Sequence, residues 1–233
     1  MKALVFDSSS IISITTNNLL NVLTNLKKHY NGDFLIGNEV LREIIDAPLK
    51  TRRFKLEAFQ LANYISQGSF KLFKQDLENK TNYLMTLANN IFQVDNHNII
   101  IVQKAEVEAL ALTLAINAEA LVIDERTTRL LIEDAIKLKT LLENKLHTKI
   151  MLNRANLNYF KKETKNVKVL RSSELMIIAY ELGLFKDYEI SRKLIHENFK
   201  MELLDGILWG LRLKGCAIST DEINELLRIE RAR

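Results

Sequence analysis

The chain has 233 residues, of which 47% are hydrophobic and 27% are charged, and its formal net charge is +4. Its single cysteine, Cys216, excludes an internal disulfide and fits a reducing cytosol. No apolar run is long enough to span a bilayer and the first residues do not resemble a signal peptide, so we expect a cytoplasmic protein with no membrane association.

The first elements alternate between strand and helix. A short apolar run, Ala3–Phe6, predicts a strand that ends at Asp7 and is followed by three serines and a helix reaching about Tyr30. Phe34–Ile36 predicts a second strand, and a short helix through Asp46 follows it. Glu43 lies at the border of that helix's apolar face, where a carboxylate is ordinarily solvated.

The middle of the chain is less regular. After Pro48 we expect a helix that ends at Gln67, with basic residues outside (Arg52, Arg53 and Lys55) and apolar residues inside (Leu56, Phe59, Leu61 and Ile65). Two later apolar runs, 70–73 and 99–102, are both candidates for the third strand of a sheet, and the sequence does not decide between them.

The stretch 105–129 carries the most informative acid. It predicts a helix, a buried strand at 121–123, and Asp124 directly after that strand. At about 100° per residue, Glu106 falls on the polar stripe of the helix, whereas Glu108 falls among apolar positions. A carboxylate there is costly unless it is paired, protonated or bound to a metal, so Glu108 is the stronger candidate for a site.

A basic segment follows. Residues 136–171 contain ten basic and two acidic residues, a net charge of +8, so the rest of the chain sums to −4. Three lysines of this segment, Lys161, Lys162 and Lys165, are candidates for sequence-independent phosphate contacts, although a solvated face is the ordinary alternative. Residues 167–170 predict the last strand, and the chain from Ser172 onward reads as helical.

Strands that alternate with helices predict an α/β fold with a doubly wound parallel sheet, whose sites lie beyond the carboxyl ends of the strands. Asp7 and Asp124 end strands, Glu108 lies early in the helix that feeds the second of them, and Glu43 follows the second strand. These four carboxylates can therefore meet at one edge, where their repulsion would be relieved by Mg²⁺ or Mn²⁺. The associated chemistry is hydrolysis of a phosphodiester.

Glu108 lacks a simpler explanation, but each of the other three acids alone has one. Asp7 or Asp124 alone is better explained as the N-cap of the helix that follows it, and the serines 8–10 can simply satisfy a turn. A phosphatase with an Asp nucleophile is discounted, because Ser9 stands where an Asp-x-Asp motif has its second acid. A non-catalytic protein that binds nucleic acid through the basic segment stays open.

Four motifs in this order, VFDSSSII, VLREI, EVEALALTLA and LVIDERTTR, resemble the PIN-domain family of metal-dependent nucleases, including prokaryotic toxin nucleases. The resemblance covers roughly residues 2–135 and returns near Val167–Leu213, where SSELMIIAYELGLF is similar to the helical tail of some members. It implies that Asp7, Glu43, Glu108 and Asp124 bind the metal. It also implies that Ser9 supports them and that Arg129 contacts phosphate.

The resemblance further implies a three-layer α/β/α fold. A PIN-like nuclease domain would span residues 1–171, with 136–166 as a basic insertion, and a C-terminal helical extension at 172–233 would pack on it. It implies a Mg²⁺- or Mn²⁺-dependent endoribonuclease acting on single-stranded or structured RNA. A toxin with an antitoxin-like protein partner, a homodimer and an RNA-processing enzyme are all compatible with it.

Overall fold

The computed structural model describes residues 1–193 and 198–232; residues 194–197 and 233 of the predicted extension lie outside the described residues. The strands are β1 (Ala3–Phe6), β2 (Asp33–Ile36), β3 (Lys71–Leu72), β4 (Phe92–Val94), β5 (His97–Asn98), β6 (Ala120–Val122), β7 (Met151–Leu152) and β8 (Val169–Leu170).

The helices of the first half are α1 (Ser8–Thr16), α2 (Leu20–Tyr30), α3 (Asn38–Leu41), α4 (Ala47–Leu49), α5 (Lys55–Ser66), α6 (Glu78–Asn89) and α7 (Lys104–Ala115). A π-helical segment, Arg42–Asp46, joins α3 to α4. The helices of the second half are α8 (Arg126–Glu133), α9 (Ala135–Leu146), α10 (Arg154–Thr164), α11 (Ser172–Glu181), α12 (Phe199–Leu213) and α13 (Thr220–Ala232). A 3-10 segment, Lys186–Lys193, follows α11.

A five-stranded parallel sheet in the order β3-β2-β1-β6-β8 organises the fold, which confirms the α/β class predicted from the sequence. Every residue of the central strand β1 is buried, as expected of a parallel strand covered on both faces. The strand order changes direction at β1. A crevice therefore opens beyond the carboxyl ends of β1 and β6, which are followed by Asp7 and Asp124.

The structure decides which apolar run is the third strand. Leu35 and Ile36 pair with Lys71 and Leu72, so the first candidate run supplies the edge strand β3. The second run, 99–102, lies outside both sheets. A small antiparallel sheet in the order β5-β4-β7 forms beside it, and α10 packs against α6. The predicted basic insertion, 136–166, is thus built into a small substructure together with residues 78–98.

The predicted inner face of α5 is partly wrong. Ala58 and Leu61 are buried, but Leu56 is 70% exposed and Phe59 is 61% exposed. Positions 58 and 61 lie one turn apart on one side of the helix, and this register turns positions 56 and 59 away from the core. The sequence pattern alone did not distinguish these two registers.

The C-terminal helices share the apolar core of the sheet domain. Buried side chains of α12 and α13, including Leu208 and Ile223, belong to the same apolar cluster as β1. At the end of β8, the Arg171 guanidinium donates hydrogen bonds to Glu174, Glu222 and the Ala217 carbonyl, which ties α11 to α13. In the described ranges, no helix is long and apolar enough to cross a membrane.

Candidate metal centre at the carboxyl edge of the sheet

Asp7 is the most unusual acid at this edge. It is the N-cap of α1, and its Oδ2 accepts hydrogen bonds from the Ser9 amide (3.0 Å) and the Ser9 hydroxyl (2.5 Å). Its Oδ1 is buried and has no hydrogen-bond partner in the described part of the chain. Burial, with a smaller contribution from the nearby charge of Glu43, raises the pKa of Asp7 to about 6 despite the hydrogen bonds from Ser9. A buried carboxylate oxygen without a partner is costly, and it is free to bind a cation.

Ser9 links the two strand-end aspartates, and its role in supporting a metal site stays a prediction. Its hydroxyl donates to Asp7 and accepts the backbone N–H of Asp124 at 3.1 Å. Asp124 itself is fully buried, and both of its oxygens have partners: Oδ1 accepts from the Ser172 amide (2.7 Å) and Oδ2 from the Ser172 hydroxyl (2.6 Å). Among the described residues, Asp7 alone of these two aspartates has a buried side-chain oxygen without a hydrogen-bond partner.

Glu106, which the sequence analysis placed on the polar stripe, faces the site. It is the third residue of α7 and its Oε2 accepts the backbone N–H of Gln103, which turns the side chain back towards the helix start. Burial raises its pKa to about 7 despite a hydrogen bond from the Thr128 hydroxyl (2.6 Å), and the charges of Asp7 and Glu125 add to the rise. The expectation that Glu106 is simply solvated is therefore wrong. The Gln103-x-x-Glu106 spacing resembles a capping box and could have revealed this position.

Glu125, the residue after Asp124, also lies near the site, because its charge contributes to the raised pKa of Glu106. It is the N-cap of α8, and its side chain accepts the Thr128 N–H at 2.7 Å. Thr128 thereby joins Glu125 and Glu106 through two hydrogen bonds. An N-cap side chain folds over the first turn of its helix to accept an N–H there, and this bond keeps the Glu125 carboxylate near the end of β6.

Glu108 is buried, as predicted, but it serves a neighbouring helix. Its Oε2 accepts the backbone N–H of Glu39 at 2.8 Å, at the first turn of α3. Burial raises the pKa of Glu108, and backbone N–H groups at the start of α3 partly offset that rise. The approach is so close that a Cβ at Gly37 would lie 2.1 Å from Glu108 Oε2. The prediction that Glu108 joins Asp7 is therefore corrected: the N–H groups of α3 explain its burial.

Glu43 joins the Asp7 side of the edge. Its Oε2 accepts a hydrogen bond from the Ser8 hydroxyl at 2.6 Å, and its charge raises the pKa of the neighbouring Asp7. The residue itself is exposed and lies in the π-helical segment, a rare conformation that is often found at functional sites. Glu43 thus lies beside Ser8 and Asp7, and its role as a metal ligand stays a prediction.

The acids Asp7, Glu43, Glu106 and Glu125 form a chain of repelling neighbours. No group of three His, Cys, Asp or Glu side chains in residues 1–193 and 198–232 is arranged to hold a metal ion. Mg²⁺, however, commonly uses only one or two protein carboxylates and keeps several waters. The unpartnered Oδ1 of Asp7 lies beside Glu43, whose charge contributes to the raised pKa of Asp7, and near Glu106, whose pKa the charge of Asp7 helps to raise. This arrangement fits an oxygen-binding divalent cation.

The predicted phosphate contacts lie in two places. Arg129, on α8, donates from Nη1 to Glu133 at 3.0 Å, and its buried Nε has no hydrogen-bond partner among the described residues. Lys161 and Lys162 are exposed on the last turn of α10, and Lys165 is exposed just after it. The chain then enters β8 at its amino end, so these lysines approach the sheet from the edge opposite to Asp7.

Comparison with known proteins adds nothing to this geometry. No protein-family model matches the chain, and neither a curated protein nor a solved structure matches it significantly.

Proposed function

We propose that the chain is a Mg²⁺- or Mn²⁺-dependent endoribonuclease of the PIN type. The observation that carries the proposal is the buried, unpartnered Oδ1 of Asp7 at the carboxyl edge of a parallel sheet, with Glu43 and Glu106 beside it. Oxygen-only ligands favour a hard divalent cation. The preference for RNA and the PIN assignment rest on the motif resemblance.

In the proposed site, Asp7, Glu43 and Glu106 hold the cation, and Ser9 fixes the orientation of Asp7. A divalent cation supplies activation of water and neutralises charge that develops on a phosphodiester. Asp124, whose oxygens are held by Ser172, positions Ser9 through its backbone N–H, and its role as a direct ligand stays a prediction.

Other parts of the proposal lie outside the metal site. The unpartnered Nε of Arg129 supports its predicted phosphate contact. Five further points stay predictions: a toxin role with an antitoxin-like partner, a homodimer, an RNA-processing role, a cytoplasmic location, and phosphate contacts by Lys161, Lys162 and Lys165.

We expect the purified protein to cleave labelled single-stranded RNA with Mg²⁺ or Mn²⁺ and to lose this activity in EDTA. Activity should return when Mn²⁺ is added in excess, because a divalent cation bound at the site would activate the attacking water. An Asp7→Asn preparation purified in the same way controls for contaminating ribonuclease. Cleavage that persists at the wild-type rate in that preparation would contradict the proposal.

One observation favours a second candidate, a non-catalytic protein that binds nucleic acid. Asp124 and Glu108, two of the four predicted ligands, have structural partners at the starts of α11 and α3. This candidate predicts RNA binding without cleavage and no thermal stabilisation by Mn²⁺. Stabilisation by Mn²⁺ that disappears in Asp7→Asn would favour the nuclease instead.

A further inference from the structure

A second basic feature lies at the start of α5, which packs against the π-helical segment that carries Glu43. Residues 50–55, which we name the basic arm, contain Lys50, Arg52, Arg53 and Lys55, and all four are exposed. Within the described residues, none of the four forms an ion pair with a carboxylate, whereas Lys139 and Lys80 of the small substructure do. The arm therefore presents four unneutralised positive charges within six residues.

Exposed apolar side chains continue the arm along α5. Leu56 and Phe59 lie three residues apart, so they project from neighbouring positions of one helix face, and both are mostly exposed. Inside the arm, the Arg53 guanidinium lies 4.7 Å from the centre of the Phe54 ring. Phe54 adopts a left-handed conformation (φ 58°), which a phenylalanine rarely does, and it sets the sharp entry into α5.

The arm is connected to the candidate metal centre through Glu43. A narrow cavity of about 20 Å³ is lined by Glu43 together with Phe54 and Glu57, and α5 packs against the π-helical segment that carries Glu43. Glu43 in turn accepts the hydrogen bond from Ser8, the neighbour of Asp7. The arm and the exposed face of α5 thus extend outward from one side of the carboxylate cluster.

We propose that the basic arm and the face formed by Leu56 and Phe59 bind unpaired RNA and lead it to the carboxylate cluster. This inference rests on the proposed function for the identity of its substrate. Positive charges follow a phosphate backbone, and an exposed aromatic ring offers a stacking surface that only unpaired bases can use. The substrate class is therefore a single strand, bound without sequence readout by the arm.

Charge favours RNA over a protein partner as the occupant. An interface between proteins is typically depleted in lysine at its centre, whereas here Lys55 directly precedes Leu56 and Lys50 lies in the same arm. Residues 50–59 contain four basic side chains and one acidic side chain, that of Glu57. Such a surface complements a polyanion.

Binding of a fluorescein-labelled single-stranded oligoribonucleotide, followed by anisotropy in EDTA from 50 to 200 mM salt, tests the inference without any cleavage. Replacing Arg52, Arg53 and Lys55 together with Gln should weaken binding at least about tenfold at 0.1 M salt. It should also reduce the slope of log K against log salt by about 2. Phe59→Ala should weaken binding about tenfold and leave the slope unchanged, because stacking releases no counterions.

The matched control replaces Lys161, Lys162 and Lys165 with Gln, which removes the same charge from an equally exposed surface. We expect it to lose clearly less affinity than the arm variant. A duplex of the same sequence should bind more weakly than the single strand and should not respond to Phe59→Ala.

Equal losses in the two triple variants, or unchanged RNA binding in the arm variant, would overturn the inference, and the latter would leave a protein as the occupant of this face. Because binding is measured in EDTA, arm-dependent binding by a protein that never cleaves RNA would overturn the proposed function and support the inference.

Discussion

Replacing Asp7 with Asn is expected to abolish RNA cleavage and, in EDTA at pH 8, to increase the free energy of unfolding by up to about 3 kcal/mol. Burial raises the pKa of the folded carboxyl group to about 6 from 3.8, so the folded state disfavours the charge at alkaline pH. Asn keeps an acceptor for Ser9 and is an equally good N-cap. It removes the charge on an oxygen that has no partner.

The sign of this effect fixes its pH dependence. Above pH 6 the wild-type protein carries the buried charge and is the less stable of the two. As the pH falls from 6 to below 4, Asp7 is protonated in both the folded and the unfolded state, and the advantage of Asn should disappear. Urea unfolding in EDTA at pH 8 and pH 4 measures it.

Asp124→Asn is the matched control, because Asp124 also ends a strand and is also buried. Its two oxygens accept hydrogen bonds from the amide and hydroxyl of Ser172. Asn offers one acceptor in place of two charge-assisted ones, so this variant should lose about 1–3 kcal/mol. If both variants lose stability equally, the strand-end aspartates are equivalent structural caps and the distinctive state of Asp7 is contradicted.

Glu106→Gln is expected to reduce cleavage at least about 100-fold, whereas Glu108→Gln should leave cleavage within a few-fold of wild type. Glu106 lies near Asp7 and Glu125, whose charges raise its pKa. Glu108 instead accepts the N–H of Glu39 at the start of α3. Loss of a residue that only hydrogen-bonds to a metal ligand typically lowers metal affinity or activity about 10- to 100-fold. Loss of a ligand's own charge should lower activity at least as much.

The two glutamate variants are closely matched, because each keeps one acceptor oxygen and lies on the same helix. We expect the stability of Glu108→Gln to change by about 1 kcal/mol or less, since Gln can still accept the N–H at α3. Cleavage rates and the shift of Tm on adding Mn²⁺ should be measured for both. An inactive Glu108→Gln beside an active Glu106→Gln would restore the assignment made from the helical wheel and contradict the site described above.

The parallel sheet and the positions of Asp7 and Asp124 could be predicted from the sequence. For both aspartates, a short apolar run is followed directly by the acid, and such a pattern is visible in a few neighbouring residues. The prediction failed where a cap decided the direction of a side chain. A helical wheel gives each residue an angle around the helix, and that angle places Glu106 in solvent. At the third helical position, however, the Gln103 N–H draws the carboxylate back over the helix start.

Glu108 shows the complementary limit. Its burial was predicted correctly, but a buried acid can be satisfied either by a cation or by free backbone N–H groups. The N–H of Glu39 in α3 comes from a residue 69 positions away in sequence, and only the fold brings it to Glu108. The exposed Leu56 and Phe59 were missed for a similar reason, since two registers of α5 fit the same apolar pattern.

Asp7 is expected to bind a divalent cation through its unpartnered oxygen. Diffraction from a crystal soaked in Mn²⁺, recorded where manganese scatters anomalously, tests this binding most directly. We expect one strong anomalous peak beside Asp7 Oδ1, on the side of Glu43 and Glu106, and no such peak in Asp7→Asn crystals soaked identically. A peak beside Glu108 and none at Asp7, or an unchanged peak in the Asp7→Asn crystal, would contradict it.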